Sequence, residues 1–165
     1  MKYFSITGCV LLLQLCIVSC SKSGFVDNKD ASSAYLMLSA GGFTEFYPID
    51  TTDFQQVHLV GSVSIAGGLK KALNFTVETD SVALDSMNSE KQTGYKIVPA
   101  EAVRLEQTTY TIPKGASSVD IPLYINLTLL PADVIDYVLP VSITDGGGVP
   151  LEPNHKTVFF HINEP

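Results

Sequence analysis

Leu139-Pro140-Val141-Ser142-Ile143-Thr144 places an apolar residue at every second position, with proline, serine and threonine between them. A helix needs its apolar residues three or four apart, so this run reads as a β-strand with one buried and one wet face. The same period recurs on both sides of it. Val158, Phe160 and Ile162 alternate with Phe159 and His161, and Leu73, Phe75 and Val77 alternate with Asn74, Thr76 and Glu78. Val119, Ile121, Leu123 and Ile125 alternate with Asp120, Pro122, Tyr124 and Asn126. Shorter candidates are residues 35–39, 56–65 with a bend at Gly61, 95–98, and 103–106 joined to 110–112. Turn signals separate them: Gly41-Gly42, Gly67-Gly68, Pro113-Lys114-Gly115 and Gly146-Gly147-Gly148.

Seven or eight short strands at this spacing, with no sustained helical period, predict an all-β antiparallel sandwich. Residues 81–89 read as one helical turn or a crossover loop. Pro122 and Pro140 occupy polar positions of their strands; proline cannot donate to a ladder, so they mark edge strands or bulges. Leu130-Pro131-Ala132-Asp133 before Tyr137 resembles the tyrosine corner of Greek-key sandwiches, against an ordinary surface tyrosine after a loop. The 165 residues suit one domain, expected over 32–165.

Charge narrows the function. Ten Lys+Arg against 17 Asp+Glu give a formal net charge of −7, with a single arginine, Arg104, and Lys70-Lys71 as the closest basic pair. Nucleic-acid binding needs a clustered positive field, so no nucleic-acid partner is expected.

The three cysteines, Cys9, Cys16 and Cys20, all fall in the first twenty residues. Lys2, an apolar run over 3–18 and a small residue at Ser19 form an export signal over 1–19. Its end, Ile17-Val18-Ser19-Cys20, resembles the bacterial lipoprotein box. That resemblance implies cleavage before Cys20 and acylation of Cys20, so the partner at this end is the outer membrane. The alternative is an uncleaved signal anchor with an incidental cysteine. Residues 20–31 then serve as a lipidated tether that reaches roughly 35–40 Å when extended. Asp27 and Asp30 are interleaved with Lys22 and Lys29, which leaves the membrane face open. With Cys20 lipidated, no thiol remains for a disulfide, a metal or catalysis.

Catalytic constellations are not found. His58, His155 and His161 match no metal-ligand spacing, and His58 and His161 fall on the polar faces of their strands. There is no Gly-x-Ser-x-Gly elbow and no phosphate loop. Asp80, Asp85, Asp133, Asp136 and Asp145 fall in expected loops, where aspartate commonly bonds its own backbone. A hydrolytic carboxylate pair or a calcium site among them stays a minor alternative. No catalytic residue, metal or cofactor is therefore expected. Sugar binding asks for less, and the rings on polar faces or in loops, Tyr47, Tyr124 and Phe159, are candidate glycan-binding residues; each could equally be sheet packing.

Five segments together resemble a known family: 35–40 (Tyr-Leu-Met-Leu-Ser-Ala), 77–88, 95–99 (Tyr-Lys-Ile-Val-Pro), 110–115 (Tyr-Thr-Ile-Pro-Lys-Gly) and 137–143 (Tyr-Val-Leu-Pro-Val-Ser-Ile). This is similar to the Bacteroidetes domain of unknown function seventeen thirty-five, over about 35–162. Val98 stands where leucine is commoner. The resemblance implies an immunoglobulin-like sandwich at the N-terminus of exported lipoproteins often encoded with polysaccharide-utilisation genes. It assigns no catalytic residues. This chain ends just after its last expected strand, so a downstream module's role is expected to fall to another protein or to be absent. Asp50-Thr51-Thr52, Asp80-Ser81-Val82 and Asp85-Ser86-Met87 also resemble the Bacteroidetes O-glycosylation motif, which makes Thr51, Ser81 and Ser86 candidate sites in expected loops. The expected role is a non-catalytic, lipid-anchored module that binds polysaccharide or glycan-uptake proteins. The alternative is a structural or adhesive module that makes protein contacts alone.

Overall fold

The alternating runs form hydrogen-bonded ladders in the computed structural model, which describes residues 34–48, 53–65, 67–131 and 136–163. The export segment, Cys20, the tether, Thr51 and residues 132–135, Asp133 among them, lie outside the described residues. The strands are β1 (Leu36–Leu38), β2 (Gly42–Phe46), β3 (Phe54–Val57), β4 (Val60–Val63), β5 (Leu73–Thr79), β6 (Lys96–Ile97), β7 (Val103–Leu105), β8 (Thr109–Ile112), β9 (Ser118–Asp120), β10 (Leu123–Asn126), β11 (Tyr137–Asp145) and β12 (Thr157–Ile162). One helix, α1 (Ser81–Lys91), follows β5. Several of the sequence runs are divided among two of these strands, because they break where they bend or change sheets.

One layer runs β1, then β3–β4, then β9–β10, then β7. Its two middle runs break together, at His58–Leu59 and Ile121–Pro122, and the Ile121 N–H still reaches the Leu59 carbonyl at 2.9 Å. The break is thus beside Pro122 and not at Gly61. The register runs on through it from Val60 opposite Asp120 to Val57 opposite Leu123, so Pro122 marks neither a bulge nor an edge, β10 lying between β3 and β7. Gly61 serves packing instead: a Cβ there would run into Cζ of Phe75. The other layer runs β2–β12–β11–β5–β8, with β6 on the first residues of β11. Most pairings are antiparallel; β2 with β12 and β6 with β11 are parallel. The chain passes repeatedly between the layers, at short links such as β1 to β2 and β7 to β8, and each such link ties the sheets together.

The core lies between the layers. Leu36, Leu38, Leu59, Ile121, Leu123 and Ile125 from one face Phe75, Ile112, Leu139, Phe160 and Ile162 from the other, all essentially inaccessible. Removing that much apolar surface from water is the main force holding the sandwich closed.

Three expectations need correction. Strand β2 is absent from the expected set, because Gly41-Gly42 reads as punctuation. Pro140 is not on an edge: β11 lies between β12 and β5, and Pro140 faces Phe159 across the ladder. Its carbonyl accepts the Asp80 N–H at 3.1 Å, so its nitrogen points to the same side, into the gap between β6 and β5 where no ladder donor is required. Finally, β11 does not alternate wet and dry; residues 137–143 are buried on both faces. The cover on its outer face is α1.

Residues 81–89 therefore make neither one turn nor a loop. The Asp80 carboxylate accepts the Ala83 N–H at 3.0 Å and caps the start, so Asp80-Ser81 opens a helix rather than a turn. Ser81 is its first residue and Ser86 lies mid-helix, donating to the Val82 carbonyl at 2.9 Å. Asp85, also expected in a loop, is on the helix too. Only Leu84 and Met87 are buried, against Val138 of β11. Two such side chains supply about 3–6 kcal/mol before ordering costs. The helix ends at Gln92, whose φ of 55° is left-handed. Gln92→Gly should raise stability by about 0.5–1 kcal/mol in urea unfolding, because glycine takes that conformation without a Cβ clash; a loss of stability would contradict this account of the cap.

Candidate functional site: an aromatic cluster beside the helix

Strand β12 sends Val158, Phe160 and Ile162 into the core and Phe159 and His161 outward. Parallel pairing sets Phe43 of β2 beside Phe159, and Glu45 beside His161. The segment after α1 brings in a third ring. Asn88 of α1 donates through Nδ2 to the Tyr95 carbonyl at 2.8 Å, and its Oδ1 accepts the Tyr95 N–H at 3.1 Å and the Thr93 hydroxyl at 2.9 Å. Tyr95 is thereby clamped to the helix through its backbone.

The result is a contiguous cluster on the outer face. Ring centroids are 5.5 Å apart for Phe43 and Tyr95, 5.5 Å for Phe43 and His161, and 5.3 Å for Tyr95 and His161. These are favourable tilted contacts. Lys91 Nζ lies 5.8 Å from the Phe43 centroid, within cation–π range. At the cluster's edge, Glu45 Oε2 accepts from the Asn163 amide and lies 2.8 Å from His161 Nδ1. An open groove of about 460 Å³ continues from Phe43 between α1 and the sheet, lined also by Phe159, Ser86, Glu90 and Asn154. Rings beside convergent donors and acceptors suit a polar ligand with apolar faces.

The Asn163 hydrogen bond, opposed by burial and reinforced by His161, holds the Glu45 carboxyl below its ordinary range. A lowered folded-state value means that the link supports the fold above the ordinary carboxylate range and is lost as pH falls through the lowered value. Asn163→Ala should raise the Glu45 pKa toward its ordinary value, read by NMR titration of the carboxyl carbon; an unchanged titration would reject the assigned cause.

The three rings expected to bind glycan are not brought together. Tyr47 follows β2 and is 67% exposed. Phe159 is half-buried, packing against Leu84, Met87 and Val138 while flooring the groove. Tyr124 lies on the opposite layer of the sandwich. Sequence reasoning misses Phe43, Glu45, Lys91, Tyr95 and Asn163. The alternation Phe43-Thr44-Glu45-Phe46 is the available signal for β2. Of the histidines, His58 is exposed, and the His155 backbone carbonyl accepts the Leu38 N–H at 2.8 Å. His161 is not a freely wet residue but part of the cluster. Asp80 caps the helix, and Asp145 accepts the Gly147 N–H at 2.8 Å. Among the described residues no group of three or more His, Cys, Asp or Glu could hold a metal ion, and no helix is long and apolar enough to cross a membrane.

Fold and site define a two-layer β-sandwich carrying an aromatic, partly polar outer surface. A family model described as a "-like, N-terminal domain" matches residues 28–150. The chain belongs to that family of N-terminal domains, of the Bacteroidetes DUF1735 type. Its fold is similar to that of three Bacteroides ovatus structures. One, of unknown function, is 19% identical with a TM-score of 0.66, over 79% of this chain and 47% of that one. A proposed carbohydrate-binding protein is 19% identical with a TM-score of 0.64, over 79% and 37%. A multidomain protein including DUF1735 is 17% identical with a TM-score of 0.62, over 79% and 45%. The chain thus spans less than half the length of each. No curated protein matches it.

Proposed function

We propose that this domain is a non-catalytic module that holds a glycan at the bacterial envelope, anchored to the outer membrane through lipid on Cys20. The observation that carries this reading is the Phe43–Tyr95–His161 cluster, with its polar edge of Glu45 and Asn163, opening onto a groove. Ring faces pack against the C–H faces of sugars, and the edge groups bond hydroxyls. The fold shared with a proposed carbohydrate-binding protein supports it. The test uses the full chain in mild detergent, run through native gels that each contain one plant, host or microbial polysaccharide. Retardation in at least one gel is expected, abolished by Phe43→Ala and Tyr95→Ala.

A second reading is protein contact through β2. Phe46 directs its carbonyl to Asn163, so Phe43 and Glu45 direct their backbone groups to the other edge of β2, where no described strand pairs with them. Unchanged mobility in every gel, with cross-linked partners recovered through β2 on intact cells, would replace the glycan reading with this one.

A further inference from the structure

The outer face of the other layer carries a separate constellation. Arg104 of β7 stands opposite Tyr124 of β10, and Phe54 of β3 stands two pairs further along on the same face, opposite Asn126. The guanidinium carbon lies 4.5 Å from the Tyr124 ring centroid and 4.7 Å from that of Phe54. Arg104 is exposed, and among the described residues it has no hydrogen bond and no ion pair. That is unusual chemistry for the single arginine of a chain with 17 Asp+Glu. The nearest acidic residue in sequence to Phe54, Asp53, is turned back on the backbone, its Oδ1 accepting the Phe54 N–H at 2.6 Å.

Contact with two rings restricts the long arginine side chain before any ligand arrives, so less freedom is lost on binding. What remains available is the edge of the guanidinium, a planar fork of N–H donors that matches a carboxylate in bidentate geometry. Tyr124 and Phe54 add apolar ring surface beside that fork, and Asn126 and Gln56 lie on the same face as polar neighbours. Charge limits the ligand further. A formal net charge of −7 repels a densely charged polyanion, while one arginine can accommodate one isolated carboxylate. We infer that Phe54, Arg104 and Tyr124 form a binding site for a uronic-acid unit of a polysaccharide. The inference rests on the glycan reading in taking a sugar as the ligand, but it uses none of the residues beside α1.

The test is calorimetric titration of the full chain with trigalacturonate, with its methyl ester, which keeps the sugar rings and removes the charge, and with a short poly-glutamate peptide. Trigalacturonate is expected to bind at least tenfold more tightly than the ester. Arg104→Lys, which keeps the charge but not the fork, should lose most of that preference, and Phe43→Ala should leave it intact. Thermal unfolding checks that the Arg104 variant is folded. Equal affinity for acid and ester, or an Arg104→Lys variant that binds like the parent, overturns the site. Poly-glutamate binding through Arg104 without galacturonate binding overturns the sugar and points to an acidic protein segment. Polysaccharide retardation that depends on Phe43 while trigalacturonate fails to bind removes this site alone. Trigalacturonate binding with no role for Phe43 in any gel removes the site beside α1 alone.

Discussion

Phe75→Ala should cost the domain about 3–5 kcal/mol, the range for truncating a buried phenylalanine. Phe75 is 1% exposed in the middle of β5, with Tyr110 at 5.9 Å ring to ring and the backbone of Gly61 against its edge. The ring therefore spans the space between the layers, and its removal leaves a void bounded by two ladders that cannot both move inward. Domains of this size hold about 5–15 kcal/mol in total, so the variant should unfold at a much lower urea concentration with an unchanged slope. A cost below about 1 kcal/mol would mean that the layers close over the gap. Gly61→Leu probes the same contact from the other side, since it forces the ring out of place instead of deleting it.

Leu84→Ala should cost about 2–3 kcal/mol, the lower half of the usual range, because the cluster it belongs to opens on one side to the groove and can collapse. The more telling expectation is where the loss falls. The helix is anchored by Leu84 and Met87, and a free eleven-residue helix is marginal in water. Removing one anchor should let α1 open while the sandwich stays closed. Asn88 leaves with it, and so does its clamp on Tyr95. Hydrogen exchange should therefore accelerate over 81–97 and remain slow in β5 and β12, and glycan retention through the aromatic cluster should fall. Uniform acceleration across the chain would show that α1 and the sandwich unfold as one unit.

How much of this is legible in the sequence depends on the range of the signal. Leu139, Val141 and Ile143, or Val158, Phe160 and Ile162, declare an inward face by local spacing, and the sandwich follows from such runs. Spacing cannot show what lies over the other face. The outer side of β11 looks wet because Pro140 and Ser142 are not strongly apolar; it is dry because α1 crosses it. The helix itself is hidden, since two buried residues three apart set no repeating period. The site is less legible still. Glu45 meets His161 across 116 residues, and Tyr95 reaches them only through Asn88. Tyr124 stands out in the sequence for its exposed ring, yet its defining neighbour is Arg104, which only the pairing of β7 with β10 sets beside it.

The parallel pairing of β2 with β12 has a mechanical consequence. Five residue pairs join these strands, from Gly42 with Val158 to Phe46 with Ile162. Because the strands point the same way, a pull on the chain entering β2 and an opposite pull on the chain leaving β12 act along the ladder. The load is a shear that all five pairs share, whereas a hairpin pulled from its open end parts one pair at a time. Resistance to such a force is a rate of rupture, set by the barrier to unfolding rather than by equilibrium stability.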